Sequence, residues 1–152
     1  MGTRTVTRVV QVATAQLRIP VSAARVQRVA ESILRAERVC NAMLSITFVT
    51  NRRMAALNWS HLQHRGATDV ISFPFAPVAT GGSLTGDVYI APDVARHNAR
   101  AHGCGIREEL LRLVVHGVLH VIGYDHPVDD ARHASPMWRR QERLLRAAMV
   151  RA

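Results

Sequence analysis

The spacing of apolar and polar residues changes period several times along the chain, and each change marks an element. Residues 4–14, RTVTRVVQVAT, are β-branched with partial alternation, which predicts a first strand. Residues 21–39 follow Pro20, offer Ser22 as a cap and set Val26, Val29, Ile33 and Leu34 on one face, the pattern of an amphipathic helix. LSITFVTN, residues 44–51, reads as a second strand, and Asn51 is expected to cap a short helix over RRMAALNWSHL, residues 52–62. TDVISFPF, residues 68–75, reads as a third strand that Pro74 bends or confines to a sheet edge.

The glycine-rich stretch APVATGGSLTG, residues 76–86, predicts a loop, and DVYIAP, residues 87–92, a fourth strand. Asp93 is the expected cap of a helix over 94–102 that Gly103 ends. Residues 106–123 predict a long, largely apolar helix, with Glu108 and Glu109 in the first turn, where the helix dipole favours them, and Gly123 as its stop. A last amphipathic helix spans 135–151, with Ser135 as cap, Pro136 at the first helical position, and Met137, Trp138, Leu144 and Leu145 as packing residues. This order departs from the regular alternation of a doubly wound sheet. The expected fold is therefore α+β: one domain over residues 1–152, with a small mixed four-stranded sheet packed against about five helices. The glycine-rich loop lacks GxxxxGK[ST] and runs into a strand, which excludes a phosphate-binding P-loop.

Composition narrows the class. A chain of 152 residues that is 48% hydrophobic can build a single core. No stretch approaches the roughly 20 apolar residues a membrane span requires, and the first residues lack the apolar core of a secretory signal, so a cytoplasmic protein is expected. Two cysteines, Cys40 and Cys104, are too few for a disulfide framework and read as buried small residues. The formal charge of +9 comes from arginine alone, since the chain has no lysine. That excess favours an anionic partner, nucleic acid first, although generic solubility explains it equally well.

The candidate chemistry lies in VVHGVLHVIGYDH, where His116, His120 and His126 occupy eleven residues. Residues four apart share a helix face, so His116 and His120 can present two ring nitrogens to one ion. Gly123 lets the chain turn back, and His126 supplies a third. Three imidazoles leave a coordination position open for water, as in a catalytic rather than a closed structural zinc site. A lone histidine on an apolar helix would be a hydrogen-bonded core residue; three at HxxxHxxGxxH spacing favour metal. Metzincin proteases share the spacing but carry a glutamate as general base where this chain has Gly117, which argues against peptide hydrolysis.

HGVLHVIGYDH resembles the HGxLHLxGYDH signature of the YbeY family, single-domain metal-dependent endoribonucleases of ribosomal RNA maturation. LNWSHLQHRGATDVISFPF is similar to that family's LN…TDVLSFP segment, and GDVYIAP to its GDIxI strand, so the likeness runs over roughly residues 44–132. The resemblance implies that His116, His120 and His126 ligate one zinc ion. It further implies single-strand-specific cleavage of RNA by metal-activated water or metal-assisted 2′-hydroxyl attack, in a cleft whose far wall is TDVISF. Implied partners are ribosomal RNA and pre-ribosomal particles, with ribosomal or GTPase assembly proteins beside them. The family's arginine after the LN pair is replaced here by Leu62, and Arg65 is the candidate phosphate contact in its stead. An alternative from a different class is a non-catalytic ribosome assembly factor with a structural metal site.

Other polar residues carry weaker readings. Asp69 and Asp87 read as caps at strand starts before they read as support for a ligating imidazole, and Asp125 as a hydrogen-bond partner of the turn that aims His126. Ser72 and Thr68 can donate to phosphate. His61, His64, His97, His102 and His133 fall outside the metal spacing. Arg52 and Arg53, and Arg139, Arg140, Arg143 and Arg146 on the last helix, form basic clusters that either meet RNA or are solvated faces. Trp59 and Trp138 are expected to pack rather than to stack on bases.

Overall fold

The computed structural model describes residue 2 and residues 5–75, 83–128 and 130–150. The elements run β1 (Thr7–Ala13), α1 (Ala23–Ala36), β2 (Asn41–Phe48), α2 (Asn51–Leu62), β3 (Val70–Phe75), β4 (Leu84–Ile90), α3 (Pro92–His102), α4 (Ile106–Ile122), a 3-10 turn at Asp130–Ala134 and α5 (Pro136–Val150). The expected beginning of the first strand at Arg4, most of the glycine-rich loop (76–82) and the expected end of the last helix at Arg151 lie outside the described residues.

The sheet has the order β1-β2-β4-β3, with β1, β2 and β4 parallel and β3 antiparallel at one edge. This is the expected α+β architecture with a mixed four-stranded sheet. Pro74 has no N–H to give a ladder, and it sits in the edge strand that tolerates this loss.

Local chemistry moved several boundaries. Pairing with β1 extends β2 back to Asn41, and pairing with β2 draws Leu84, Thr85 and Gly86 into β4, although their composition suggested a loop. Ser22 caps α1 as expected, its hydroxyl accepting from the Arg25 amide at 3.1 Å. The cap of α2 is Thr50 rather than Asn51, because Thr50 is the last extended residue and its Oγ1 accepts from the Arg53 amide at 3.2 Å. Asp93 does not cap α3. Pro92, with its fixed φ, already opens that helix behind Ala91, which leaves Asp93 inside the first turn, paired with Arg96 at 3.0 Å.

The core lies between the sheet and helices α1, α4 and α5. Along β2 the alternation is regular: Ala42, Leu44, Ile46 and Phe48 are buried on the helix-covered face while Asn41 and Met43 point to solvent. Helix α4 is central, burying Leu110, Leu111, Val114, Val115, Val118 and Leu119 against both the sheet and the other helices. A second, smaller cluster of Val49, Met54, Leu57, Ile71 and Ala91 seats α2. Trp59 does not pack there. The buried stripe of α2 is Met54, Leu57 and Asn58, and the next position turns outward, leaving Trp59 54% exposed. The two cysteines are half-buried free thiols rather than fully buried ones.

Helix and sheet meet most closely at two glycines. A Cβ on Gly117 would stand 2.5 Å from Val88 Cγ1 and 3.3 Å from Ser72 Oγ, and one on Gly86 would stand 2.5 Å from Val121 Cγ1. The Ser72 hydroxyl donates to the Gly117 carbonyl at 3.1 Å, tying β3 to the same turn of α4. Val88 is stiff and fully buried, so it has nowhere to go. Gly117→Ala is therefore expected to destabilise the fold by about 1–3 kcal/mol in chemical denaturation, as overpacking does. Combining it with Val88→Ala should cost less than the sum of the two single changes; additive costs would contradict the contact.

Candidate metal centre

Residues 106–122 form one unbroken helix because apolar residues surround most of its circumference and its first turn carries Glu108 and Glu109. Gly123 ends it with φ +126°, a conformation L side chains rarely adopt, and its amide still bonds back to the Leu119 carbonyl at 3.1 Å. The chain then reverses, and the Tyr124 amide reaches the Leu119 carbonyl at 3.0 Å. This reversal brings His126 against the helix. The ring centroids of His116, His120 and His126 lie 4.6, 4.9 and 5.0 Å apart, and one nitrogen from each lies within 4.8 Å of the others. Asp125 accepts from the His126 amide at 2.8 Å, which is the turn-holding role expected for it.

Each imidazole has its tautomer set by an oxygen that can only accept. His116 Nδ1 lies 2.6 Å from Gln141 Oε1, His120 Nδ1 lies 3.0 Å from the Tyr124 carbonyl, and His126 Nδ1 lies 2.7 Å from the Pro127 carbonyl. All three Nδ1 atoms therefore donate, which leaves three Nε2 lone pairs as the possible ligands. The Gln141 amide is itself oriented, since its Nε2 donates to Glu142 Oε2 at 3.3 Å. Three imidazoles with their Nε2 lone pairs free suit zinc or another borderline divalent ion, so the residues fit a metal.

Behind Gln141 runs a charged support. Arg112 bonds Glu109 at 2.8 Å and Glu142 at 3.0 Å, and it reaches Glu108 at 3.7 Å. Glu109 is only 3% exposed, and Arg112 is its partner there. Burial opposes the charge on Arg112, but its bonds to Glu142 and Glu109 hold the guanidinium pKa above its ordinary value. Burial lowers the His116 pKa to about 4, against the Gln141 bond, and its two histidine neighbours add to that shift. Burial, followed by the charge of His126, lowers His120 in the same direction. Both rings are thus neutral near pH 7, the form that binds a metal without displacing a proton from the ring.

A cavity of about 140 Å³ opens beside His116 and His126, walled by Asp69, Asn98, Arg132, Trp138 and Gln141 among others. Asp69 touches none of the three histidines by hydrogen bond. Its carboxylate accepts from the Val70 amide at 2.8 Å, the Thr68 hydroxyl at 3.4 Å and Asn98 at 3.1 Å, and burial raises its pKa. Asp87 lies on the opposite face of the sheet, where Ser45 donates to it at 2.8 Å. Ser72 and Thr68 are spent on Gly117 and Asp69.

Of the remaining histidines, His102 and His133 line the same cavity as His116 and His126. His61 meets Phe73 edge-on at 4.9 Å, His133 meets Trp138 at 4.4 Å, and His102 lies 3.9 Å from Glu109. Arg140 is bound to Glu37 at 2.6 Å, while Arg139, Arg143 and Arg146 are exposed. Leu62, at the family arginine's position, is exposed at the end of α2. Arg65 is exposed nearby, its guanidinium carbon 5.7 Å from the centre of the Trp59 ring. Gln141 and the Arg112 network had no signal in the sequence, since nothing in RRQER distinguishes a buried glutamine from a surface one and nothing in EELLRLVV marks Arg112 as part of an ion-pair network.

A family model described as Endoribonuclease YbeY matches residues 11–149. The chain belongs to the YbeY family. A relative named Endoribonuclease YbeY from Anaeromyxobacter dehalogenans is 43% identical over 109 residues, 70% of this chain and 54% of the relative. One of the same name from Aquifex aeolicus is 36% identical over 102 residues, 67% of this chain and 68% of the relative. The matched part thus spans about half to two thirds of these relatives' lengths. A solution structure from Thermotoga maritima shares the fold, with a TM-score of 0.61 and 22% identity over 92% of this chain and 89% of that one. Among the described residues no helix is long and apolar enough to cross a membrane.

The lowered histidine pKa values fix a direction for stability in this YbeY-family chain. Between the ordinary value of 6.5 and about 4, the unfolded chain binds protons that folded His116 refuses, so acidification favours unfolding. Metal-free protein is expected to keep its stability above pH 6.5 and lose part of it as pH falls toward about 4. Thermal melts across that window check this, and His116→Asn should flatten the slope; an unchanged slope would contradict the burial of a neutral ring.

Proposed function

We propose that this chain is a metal-dependent endoribonuclease that cuts single-stranded RNA during ribosomal RNA maturation, with one zinc ion ligated by His116, His120 and His126. The observation that carries the reading is the convergence of three histidine nitrogens within 4.8 Å, each with a hydrogen-bonded partner ring nitrogen, in a chain of the YbeY family. A divalent ion held there supplies a coordinated water with a pKa drawn toward neutrality and polarises a phosphoryl oxygen.

The chain's own residues set the rest. Three neutral imidazoles bring no negative charge to the centre, so its charge remains that of the ion and suits an anionic phosphodiester. Three protein ligands leave room for water or a phosphate oxygen, which favours catalysis over a closed structural site. Gly117 faces Val88 and the sheet, so a side chain there could not serve as the base of a peptidase. The attacking group in this reading is either water or the adjacent 2′-hydroxyl. Arg65, three residues beyond Leu62, is the proposed phosphate contact, and the net charge of +9 draws RNA to the surface. Residues 1–152 act as one such domain in the cytoplasm, on ribosomal RNA within pre-ribosomal particles and beside ribosomal or GTPase assembly proteins.

The test is cleavage of a labelled single-stranded ribosomal RNA fragment by zinc-loaded protein, by chelator-treated protein and by His120→Ala. The reading predicts cutting by the first and a loss of at least about a hundredfold in the other two, the scale of losing metal-assisted attack. RNA that is bound but never cut, or cut equally by His120→Ala, would replace it with a non-catalytic assembly factor whose metal site is structural.

A further inference from the structure

The end of α2 combines three features that packing does not explain. Trp59 is 54% exposed, although an indole of that size normally finds cover. Arg65, also exposed, places its guanidinium 5.7 Å from the indole centre, within the roughly 6 Å of a cation–π contact, and makes no ion pair among the described residues. The loop that carries Arg65 is held firmly. The Gln63 amide bonds the Trp59 carbonyl at 3.1 Å, the His64 amide bonds the Asn58 carbonyl at 3.2 Å, and the buried Asn58 side chain donates to the Gly66 carbonyl at 2.9 Å. Trp59, Arg65 and Gly66 line an open depression of about 280 Å³.

We propose that Trp59 and Arg65 form a stacking platform for one unpaired base of single-stranded RNA, with the base on the indole and Arg65 on the neighbouring phosphate. A flat aromatic face beside an unpaired cation on a fixed loop matches what a nucleotide offers, a π-face and an adjacent negative charge. An exposed cation–π contact is weaker than base–aromatic stacking, so an incoming base can displace the guanidinium from the indole toward phosphate. Arg52 and Arg53, exposed at the other end of α2, extend the positive surface that a strand would follow. The platform also stands at the head of the segment leading into β3, whose Val70 lines the cavity beside His116 and His126. The inference deepens the nuclease reading and rests on it for the nature of the ligand.

The experiment uses the zinc-loaded 152-residue chain and two labelled strands of equal phosphate number. One is an octamer of deoxyuridine, which has bases but no 2′-hydroxyl to react, and the other is an octamer of abasic spacers. Binding is read by fluorescence anisotropy for wild type, Trp59→Ala, Trp59→Phe and Arg65→Ala, with thermal melts confirming that each is folded. The platform predicts that Trp59→Ala weakens the base-bearing strand about tenfold while changing the abasic strand by less than about twofold. Trp59→Phe should restore most of the affinity, and Arg65→Ala should weaken both strands and reduce the salt dependence by about one phosphate contact. Equal weakening of both strands by Trp59→Ala, or no effect on either, would overturn it and leave the patch to a protein partner. Cleavage of ribosomal RNA by the wild type separates the two claims: a platform with no cleavage removes only the nuclease reading, and cleavage without base dependence removes only the platform.

Discussion

Everything at the metal centre depends on how closely α4 lies on the sheet. Gly117 and Gly86 remove two side chains where helix and strand would otherwise collide, and the Ser72 bond to the Gly117 carbonyl fixes the register. With that contact set, the rotation of α4 about its axis is set too. His116 and His120 must then face away from the sheet core, toward α5 and the chain reversal after Gly123. The glycine that stands where metzincins carry a glutamate is explained by packing: it is the point where the helix touches Val88.

The second constraint is the treatment of the rings themselves. Burial makes charged histidine unfavourable, which keeps His116 and His120 in the ligand form, and three acceptor oxygens hold the protons on the far nitrogens. Two of those oxygens are backbone carbonyls of the turn after α4, so the turn that supplies His126 also orients its neighbour. The third belongs to Gln141 on α5, and Gln141 is in turn bonded to Glu142, which Arg112 clamps back onto α4. The packing of α5 on α4 and the aim of His116 are therefore one arrangement, and a change in either helix would be felt at the ring.

Much of this was legible in the chain. The element order, the mixed sheet, the edge position of Pro74 and the three-histidine spacing follow from periodicity, from glycine and proline chemistry and from residues four apart sharing a helix face. Where the sequence misled, tertiary pairing overrode local preference. Leu84 to Gly86 look like loop but complete a ladder against Ala42 to Leu44, and Pro92 pre-empted Asp93 as the start of α3. Trp59 was expected to pack because a large aromatic side chain ordinarily finds cover; only the rotation of α2 over Met54 and Leu57 turns it outward. Gln141 could not be found at all, since a glutamine among arginines carries no mark of burial until α5 is laid against α4.

The central claim is that the fold presents three imidazoles to one ion and leaves the ion open to a reactant. X-ray absorption on protein carrying one equivalent of zinc tests it most directly. The account predicts three imidazole nitrogens at about 2.0–2.1 Å with at least one further oxygen from exchangeable water. A sulfur in the coordination shell, or a fourth protein ligand that closes it, would contradict the account and make the site structural.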